Sequence, residues 1–177
     1  MTYSIGIDFG TGSGRVFLVT TENGEIIGQY VQTYAHGTIE GELNGHKLPQ
    51  SYALQNANDY MEVIETGIPE ILAKTNIDAK DIVGIGIDFT SSTVIFVDDQ
   101  MEPMHNNPKF YNNPHAYVKL WKHHGAQAEA DLLFNTAIEE KNRWLGYYGF
   151  NVSSEWMIPK IMEVNDKAPE VMTETAD

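Results

Sequence analysis

The sequence has no cysteine, few basic residues and no long hydrophobic run. The lack of cysteine excludes disulfides, thiolate catalysis and cysteine-ligated zinc or iron sites. The apolar runs fall short of the roughly 18 residues that a membrane span needs. The N-terminus enters a strand pattern without the basic stretch or cleavage site of a signal peptide. These absences favour a cytoplasmic protein with no membrane partner.

Positive charge is scarce: 11 basic residues face 25 acidic ones, which gives a formal net charge of −14. Such a surface repels phosphate backbones, so we expect no nucleic-acid partner. An anionic ligand would need a local device such as backbone N–H groups, a metal ion or a well-placed arginine. Hydrophobic residues make up 42% of the chain, which is typical of a folded protein.

One pentapeptide, Ile-Gly-Ile-Asp-Phe, occurs twice, at residues 5–9 and again at 85–89. The first copy lies in a predicted strand over residues 3–9. The second lies in a nearly continuous apolar run, residues 82–88, of the kind found in strands buried on both faces. Each copy delivers an aspartate, Asp8 or Asp88, at the end of its strand.

Alternating apolar residues predict two further strands, 15–20 and 26–33, joined by a turn that contains Asn-Gly. Helical spacing follows from Asp59, which begins a D-x-x-E capping box, and continues past Pro69, where we expect a kink or the restart of the helix. The order is that of an α/β fold with a mixed sheet. A three-strand antiparallel meander is followed by a helix crossover and a strand parallel to the first. Asp8 and Asp88 are then neighbours at the carboxyl ends of adjacent strands, where α/β sheets bind ligands.

The second half of the chain is harder to interpret, and no linker divides it from the first. Residues 36–55 are polar and rich in turn formers, which predicts a loop. Asn113 and Pro114 resemble the start of a helix that continues to Leu132 along one apolar stripe. A last helix is predicted over residues 154–165, with Ser153 as its cap and a possible kink at Pro159.

The glycine-rich segment from Gly10 to Arg15 fails three phosphate-binding patterns. It leads into a strand rather than the helix that a dinucleotide fingerprint requires, and it lacks the lysine of a Walker A loop. Arg15 replaces the last glycine of the protein-kinase loop. What remains is a tight turn between two strands whose N–H groups and hydroxyls could hold an anion. The alternative is a hairpin that only reverses the chain.

The glycine-rich motif and four other sequence blocks resemble those of a known family. The first motif, GIDFGTGSGR, is similar to the phosphate motif of the FGGY family of sugar kinases, which have the actin/RNase H-like ATPase fold. The blocks GIGIDFTSST, NNPHAYVKLWKHHGAQ, YALQNANDYMEV and SSEWMIPKI resemble the members that phosphorylate ribulose. The likeness runs along the whole chain. Two departures, Ser92 in place of cysteine and Gly125 in place of alanine, remove no group needed for chemistry.

The resemblance implies transfer of the γ-phosphoryl group of ATP to the 5-hydroxyl of ribulose, an early step of arabinose catabolism, with Mg²⁺ as the cofactor. Asp8 would be the carboxylate associated with Mg²⁺, and Asp88 a carboxylate of the cleft. The loop near the β- and γ-phosphates would comprise Gly10, Thr11, Gly12 and Ser13. Arg15 either adds charge there or pairs within the fold.

The resemblance also implies a sugar site. Thr90 and Ser91 would form its floor, and Trp121, Lys122 and His123 would begin its wall. Each assignment has a structural alternative: Asp88 can cap its strand, and Trp121 lies on the predicted buried stripe. The two adjacent histidines at 123 and 124 lack the third ligand that a zinc site requires.

Members of the family are considerably longer than this chain, so residues 1–177 are expected to be a truncated N-terminal domain that is inactive alone. The family's general base and most adenine contacts would lie beyond position 177. The longer enzyme could form a homo-oligomer, and the sequence leaves this alternative undecided. The alternatives are another pentulose or polyol kinase of the family, such as one acting on xylulose, or a non-catalytic actin-like nucleotide-binding module.

Overall fold

The computed structural model describes residues 1–176, which form two compact units. Unit 1 comprises residues 1–38 and 56–90, and unit 2 comprises residues 39–55 and 91–176. In chain order the strands and helices are β1 (Tyr3–Phe9), β2 (Ser13–Thr20), β3 (Ile26–Thr33), β4 (Glu42–Leu43), β5 (His46–Lys47), β6 (Leu54–Gln55), α1 (Asn58–Thr75), β7 (Ile82–Phe89), β8 (Val118–Lys119), α2 (Gln127–Glu139), α3 (Trp144–Tyr147), α4 (Met157–Lys167) and α5 (Pro169–Glu174).

Unit 1 is a four-stranded sheet in the order β3-β2-β1-β7 with the helix α1 packed against it. β1, β2 and β3 are antiparallel neighbours, and β7 is parallel to β1. The meander, the crossover and the parallel return predicted from the sequence are therefore confirmed. So is the position of β7 beside β1.

The alternation of apolar residues explains which face of β1 meets the helix. Ile5, Ile7 and Phe9 are buried, whereas the residues between them are half-buried. Glycines bring α1 close to the sheet: a Cβ at Gly14 would lie 2.6 Å from Val63 of the helix. One of the three glycines in the GTGSG segment is thus required for packing.

Two predictions for unit 1 are wrong. Asp59 is not a cap, because α1 begins one residue earlier and its side chain is buried and bonded to His36. β7 is not buried on both faces either, because it is the edge strand and nearly all of its residues are exposed. α1 continues through Pro69 as one helix.

Unit 2 is built from short strands, loops and the helices α2 to α5. β4 pairs with β5, and β6 pairs with β8, both antiparallel. The segment predicted as a loop, residues 36–55, thus contains three short strands. Separate apolar clusters pack around Phe110, Leu54 and Leu145.

The long helix predicted from Asn113 to Leu132 is wrong. Asn113 does accept a hydrogen bond from the His115 N–H group at 2.9 Å, but it caps only a single 3₁₀ turn. The chain then pairs as β8 with the distant β6, and helix α2 begins only at Gln127. A long-range strand pairing has replaced the local helix.

The final long helix was predicted at nearly the right place. α4 begins at Met157 rather than at residue 154, and Ser153 accepts a hydrogen bond from the Glu155 N–H group outside the helix. Over residues 1–176, no helix combines the length and apolar character that crossing a membrane would need.

Candidate functional site

The two aspartates of the repeated pentapeptide lie side by side in unit 1. Asp8 of β1 and Asp88 of β7 are directly paired in the parallel register, at the carboxyl ends of both strands. This juxtaposition is the one that the sequence predicted. It places two carboxylates at the edge of the sheet where α/β proteins bind ligands.

Arg15 pairs with the nearer of these carboxylates. It faces Asp8 across the β1–β2 ladder, and its Nη1 donates to Asp8 Oδ2 at 2.7 Å. Both side chains remain about two-fifths exposed, at 42% and 38%. Of the two roles considered for Arg15, the structure shows the pairing within the fold, and it also leaves a positive charge beside Asp8.

The turn between β1 and β2 spans residues 10–12 and is closed by Gly10 N–H donating to Ser13 O at 3.0 Å. Neither Gly10 nor Gly12 has a positive φ, so the turn does not contain the left-handed residue of an αR-αL anion nest. A Cβ at Gly12 would meet nothing within 4 Å. The open space at this position leaves the backbone accessible to a ligand.

The sequence analysis did not predict that two polar side chains of unit 1, those of Tyr34 and Asp59, are buried. Tyr34 N–H donates to Gly12 O at 3.1 Å, while the buried Tyr34 hydroxyl has no hydrogen-bond partner within residues 1–176. Burial, and then the charges of Asp8 and Asp59, raise the pKa of Tyr34. Asp59 accepts from the His36 backbone at 3.2 Å and pairs with its ring Nδ1 at 2.7 Å. The only sequence signal was an aspartate beside an apolar helix stripe.

The segment after β7 continues to follow β1. Asp88 Oδ1 accepts a hydrogen bond from Phe89 N–H at 3.0 Å, as the strand-end alternative required, and Thr90 N–H donates to Phe9 O at 3.3 Å. In unit 2, Ser91 is exposed and Ser92 has a φ of +55°. A left-handed serine is uncommon and marks a sharply turned backbone.

The predicted sugar wall is divided between surface and core in unit 2. Trp121 is 41% exposed, contrary to the alternative that it packs in the core. Lys122 is partly exposed and pairs with Glu40 at 2.7 Å. His123 is completely buried, which does not fit the predicted contact with sugar, because both of its ring nitrogens are bonded inside the protein.

Around His123 lies a cluster of buried ionisable groups that the sequence analysis did not find. Burial by itself would raise the pKa of Glu163, but the hydrogen bond from His123 and the charge of Lys119 lower it, so this carboxylate is ionised. Burial lowers the pKa of His115 to about 4 and that of Lys160 to about 8. Charged residues in a core give no periodic signal, so only their positions in the fold reveal the cluster.

Unit 2 also contains an aromatic cavity of about 620 Å³, lined in part by Trp144, Tyr148 and Trp156. Ser92, which directly follows the predicted sugar-floor residues Thr90 and Ser91 in the chain, also lines this cavity. The sequence analysis treated these aromatic residues only as parts of helices. Their meeting depends on the fold of residues far apart in the chain.

No three His, Asp or Glu side chains converge on a common metal position within the described residues, 1–176. The donors beside the glycine turn are instead the two strand-end carboxylates, Asp8 and Asp88. Such a sparse oxygen set suits Mg²⁺, which keeps most of its water and is commonly held by one or two carboxylates together with substrate phosphates.

Comparisons with known proteins identify the family of the chain. Residues 3–175 match the FGGY family of carbohydrate kinases, N-terminal domain. Ribulokinase 2 of Staphylococcus saprophyticus is 99% identical over 177 residues, which are 100% of this chain and 33% of that protein. A ribulokinase of Staphylococcus aureus strain MRSA252 is 64% identical over 176 residues, covering 99% of this chain and 32% of that protein. The chain thus spans about a third of the length of these relatives.

Solved structures support the same fold at low sequence identity. A xylulose kinase from Rhodospirillum rubrum superposes with a TM-score of 0.73 and 15% identity, over 98% of this chain and 31% of that one. A gluconate kinase from Lactobacillus acidophilus gives a TM-score of 0.69 at 18% identity, over 98% and 30% of the two chains. Sugar kinases of this group have the actin/RNase H-like ATPase fold and use ATP. The chain therefore belongs to the FGGY family of carbohydrate kinases.

Proposed function

We propose that this chain supplies part of the site at which a kinase transfers the terminal phosphoryl group of ATP to the 5-hydroxyl of ribulose. The observation that carries the proposal is the pairing of Asp8 and Asp88 at adjacent strand ends, beside an open glycine turn. The 99% identity to a ribulokinase, over every residue of the chain, supports ribulose as the sugar. Lack of cysteine and dependence on ATP favour the cytoplasm.

The nucleotide side of the proposal uses residues of unit 1. Backbone N–H groups of the turn other than that of Gly10, which donates to Ser13 O, would bind phosphate oxygens together with the hydroxyls of Thr11 and Ser13. Asp8 would hold Mg²⁺, mostly through water and phosphate, and Asp88 would lie at the cleft. A bound Mg²⁺ would neutralise charge on the transferring phosphoryl group. Arg15 would keep Asp8 oriented through its 2.7 Å hydrogen bond.

The sugar side of the proposal uses Thr90, Ser91, Trp121 and Lys122. An exposed indole can pack against the apolar face of a sugar, while hydroxyl and ammonium groups bond to its oxygens. His123 is omitted from this set because it is buried. A general base is also needed to accept the proton of the attacking hydroxyl, and we place it outside residues 1–177.

The test is a coupled ADP-release assay on the full-length protein that carries this segment, with MgATP and a panel of pentuloses. We expect turnover of about 1–100 per second with ribulose. A clear preference for xylulose would favour the alternative kinase, and no turnover with any sugar would favour a non-catalytic nucleotide-binding module. Residues 1–177 alone are expected to be inactive.

Two substitutions connect the assay to the proposed site. Asp8→Asn and Asp88→Asn each remove one strand-end carboxylate with little change in shape, and each should lower kcat at least about 100-fold. Glu22→Gln, which changes an exposed carboxylate in the β2–β3 turn, is the matched control. Wild-type turnover in both aspartate variants would overturn the assignment of these residues.

A further inference from the structure

The buried ionic cluster in unit 2 is organised around Glu163 of helix α4. Its Oε2 lies 2.8 Å from His123 Nε2 and 3.1 Å from Lys119 Nζ, and all three side chains are completely buried. Lys167 Nζ donates to the other oxygen, Oε1, at 3.3 Å. A carboxylate taken out of water is stable only with this degree of pairing.

Hydrogen-bond directions leave only one arrangement of protons at the two buried histidines. Ala53 N–H donates to His123 Nδ1 at 3.3 Å, so the ring proton must be on Nε2, from which it is donated to Glu163. Lys119 donates to His115 Nδ1 at 3.2 Å, so His115 Nε2 donates to the Tyr52 hydroxyl at 3.3 Å. His123 Nε2 and Lys119 Nζ both donate to Glu163 Oε2, and every ring nitrogen of the two histidines has a partner, so the cluster has one well-defined geometry.

This cluster is attached to a β-turn that runs from Leu120 to His123. His123 N–H donates to Leu120 O at 3.0 Å, which closes the turn and makes Trp121 and Lys122 its central residues. Leu120 is held at both backbone groups, because its N–H donates to Ala53 O at 3.1 Å and its oxygen accepts from Lys160 Nζ at 2.8 Å.

The turn is therefore fixed at both ends by fully buried residues, while its two central side chains lie toward solvent. Lys119 precedes it and is paired through its backbone with Val94, at 2.9 and 3.1 Å. A β-turn closes with a single hydrogen bond, so the additional buried bonds at Leu120, Lys119 and His123 are not needed to reverse the chain. Its consequence is that Trp121 and Lys122 are presented from a rigid base.

We propose that Glu163, through its bonds to Lys119 and His123, is a positioning residue that fixes where Trp121 and Lys122 meet the sugar. The inference rests on the proposed function, in which Trp121 and Lys122 contact ribulose. Glu163 itself touches neither substrate. Its removal should loosen the turn and weaken sugar binding, and should leave the phosphate-binding turn in unit 1 unchanged.

The test compares Glu163→Gln with Asp166→Asn in the full-length protein. Asp166 lies on the same helix but is exposed, so its substitution is a control for the loss of one charge. We expect Glu163→Gln to raise the KM for ribulose about tenfold, with kcat and the KM for ATP within about twofold of wild type. A merely structural role would lower the amount of active enzyme and leave the ribulose KM unchanged, which would overturn the proposal.

A second variant covers the case in which Glu163→Gln does not fold. Lys119→Met with Glu163→Met leaves neither charge of the pair buried without its partner, and such replacements commonly preserve folding. His123 still loses its acceptor in this variant, so the ribulose KM should again rise. A folded double variant with wild-type KM would contradict the proposal.

One readout does not depend on activity. In a background with Trp144→Phe and Trp156→Phe, Trp121 is the remaining tryptophan of this segment, and the fluorescence anisotropy decay of the isolated 177-residue segment reports its local motion. If that segment is folded by circular dichroism, Glu163→Gln should increase the amplitude of fast motion. Unchanged motion would overturn the positioning role. An inactive wild-type enzyme would instead overturn the proposed function.

Discussion

The same five residues, Ile-Gly-Ile-Asp-Phe, form part of β1 and part of β7 and are paired residue for residue in the same sheet. Their burial nevertheless differs greatly: Ile7 is 3% exposed and Ile87 is 57% exposed. Because paired residues of adjacent strands face the same side, Ile7 and Ile87 lie on the same face of the sheet. The difference therefore cannot come from local sequence or side-chain direction.

Position in the sheet accounts for the difference. β1 lies between β2 and β7, and Phe9 on its buried face contacts Tyr60 of α1, whose main contacts are with β2 and β3. β7 has β1 on one side and no strand on the other within residues 1–176. An apolar sequence therefore indicates that a strand can be buried. Whether the strand is buried depends on the strands and helices that pack beside it.

The largest expected contrast is between Ile7→Ala and Ile87→Ala. Removing a buried isoleucine side chain leaves a cavity, so Ile7→Ala should lower the free energy of unfolding by about 3 kcal/mol. Ile87→Ala removes atoms already in water and should cost less than about 1 kcal/mol. Urea denaturation of both variants measures the difference. Equal costs would show that β7 is as well covered as β1.

A second contrast uses glycines on strands adjacent to β1. A Cβ at Gly14 of β2 would lie 2.6 Å from a methyl group of Val63, so Gly14→Ala should destabilise the protein by about 2 kcal/mol. A Cβ at Gly86 of β7 would meet nothing within 4 Å, so Gly86→Ala should stabilise the strand by about 0.5 kcal/mol. Thermal unfolding of the pair gives the opposite signs, and equal signs would contradict the packing of α1.

A third test uses Phe89 of β7, because its aromatic ring contacts two aromatic residues of the core. Its ring stacks on Phe9 at 4.6 Å between centroids and meets Tyr60 edge-on at 5.6 Å. Phe89→Ala should therefore cost about 1–2 kcal/mol, more than Ile87→Ala and less than Ile7→Ala. If urea denaturation gave Phe89→Ala the smaller cost of the two β7 variants, the aromatic contacts would contribute nothing.

The smallest effects on stability are expected at the two aspartates. Asp8→Asn weakens a half-exposed pair with Arg15 and should cost under about 1 kcal/mol, because water screens such pairs. Asp88→Asn should lie within about 0.5 kcal/mol of wild type, because its carboxylate accepts a hydrogen bond from the adjacent Phe89 N–H group, which an asparagine oxygen can also accept. Chemical denaturation tests both, and a cost above about 2 kcal/mol at either position would indicate a structural rather than a functional carboxylate.

Local patterns predicted unit 1 well. Alternating residues and an Asn-Gly turn are enough to specify three consecutive antiparallel strands, and the rule for crossover connections places the fourth beside the first. Asp8 and Asp88 could be brought together on this basis alone. The apolar run around the second pentapeptide also predicted a strand buried on both faces. That prediction was wrong, because the residues of a strand do not themselves determine whether it lies at the edge of the sheet.

Unit 2 was predicted poorly for a related reason. The segment from Asn113 to Leu132 has a helix cap and an apolar stripe, yet β8 within it pairs with β6, more than 60 residues earlier. His123 was similarly taken for a surface residue, although a distant glutamate binds it in the core. Residues separated by this distance in the chain share no periodic signal.

The sequence alone determined the strands of the meander, the adjacency of the two aspartates and the family resemblance, because each depends on residues close together or on a contiguous motif. The tertiary structure decided which copy of the pentapeptide is buried, which side chains of the Leu120–His123 turn reach solvent, and which charges share the core of unit 2. Burial and ion pairing depend on what the rest of the chain places alongside a residue, so they become visible only when the fold is known.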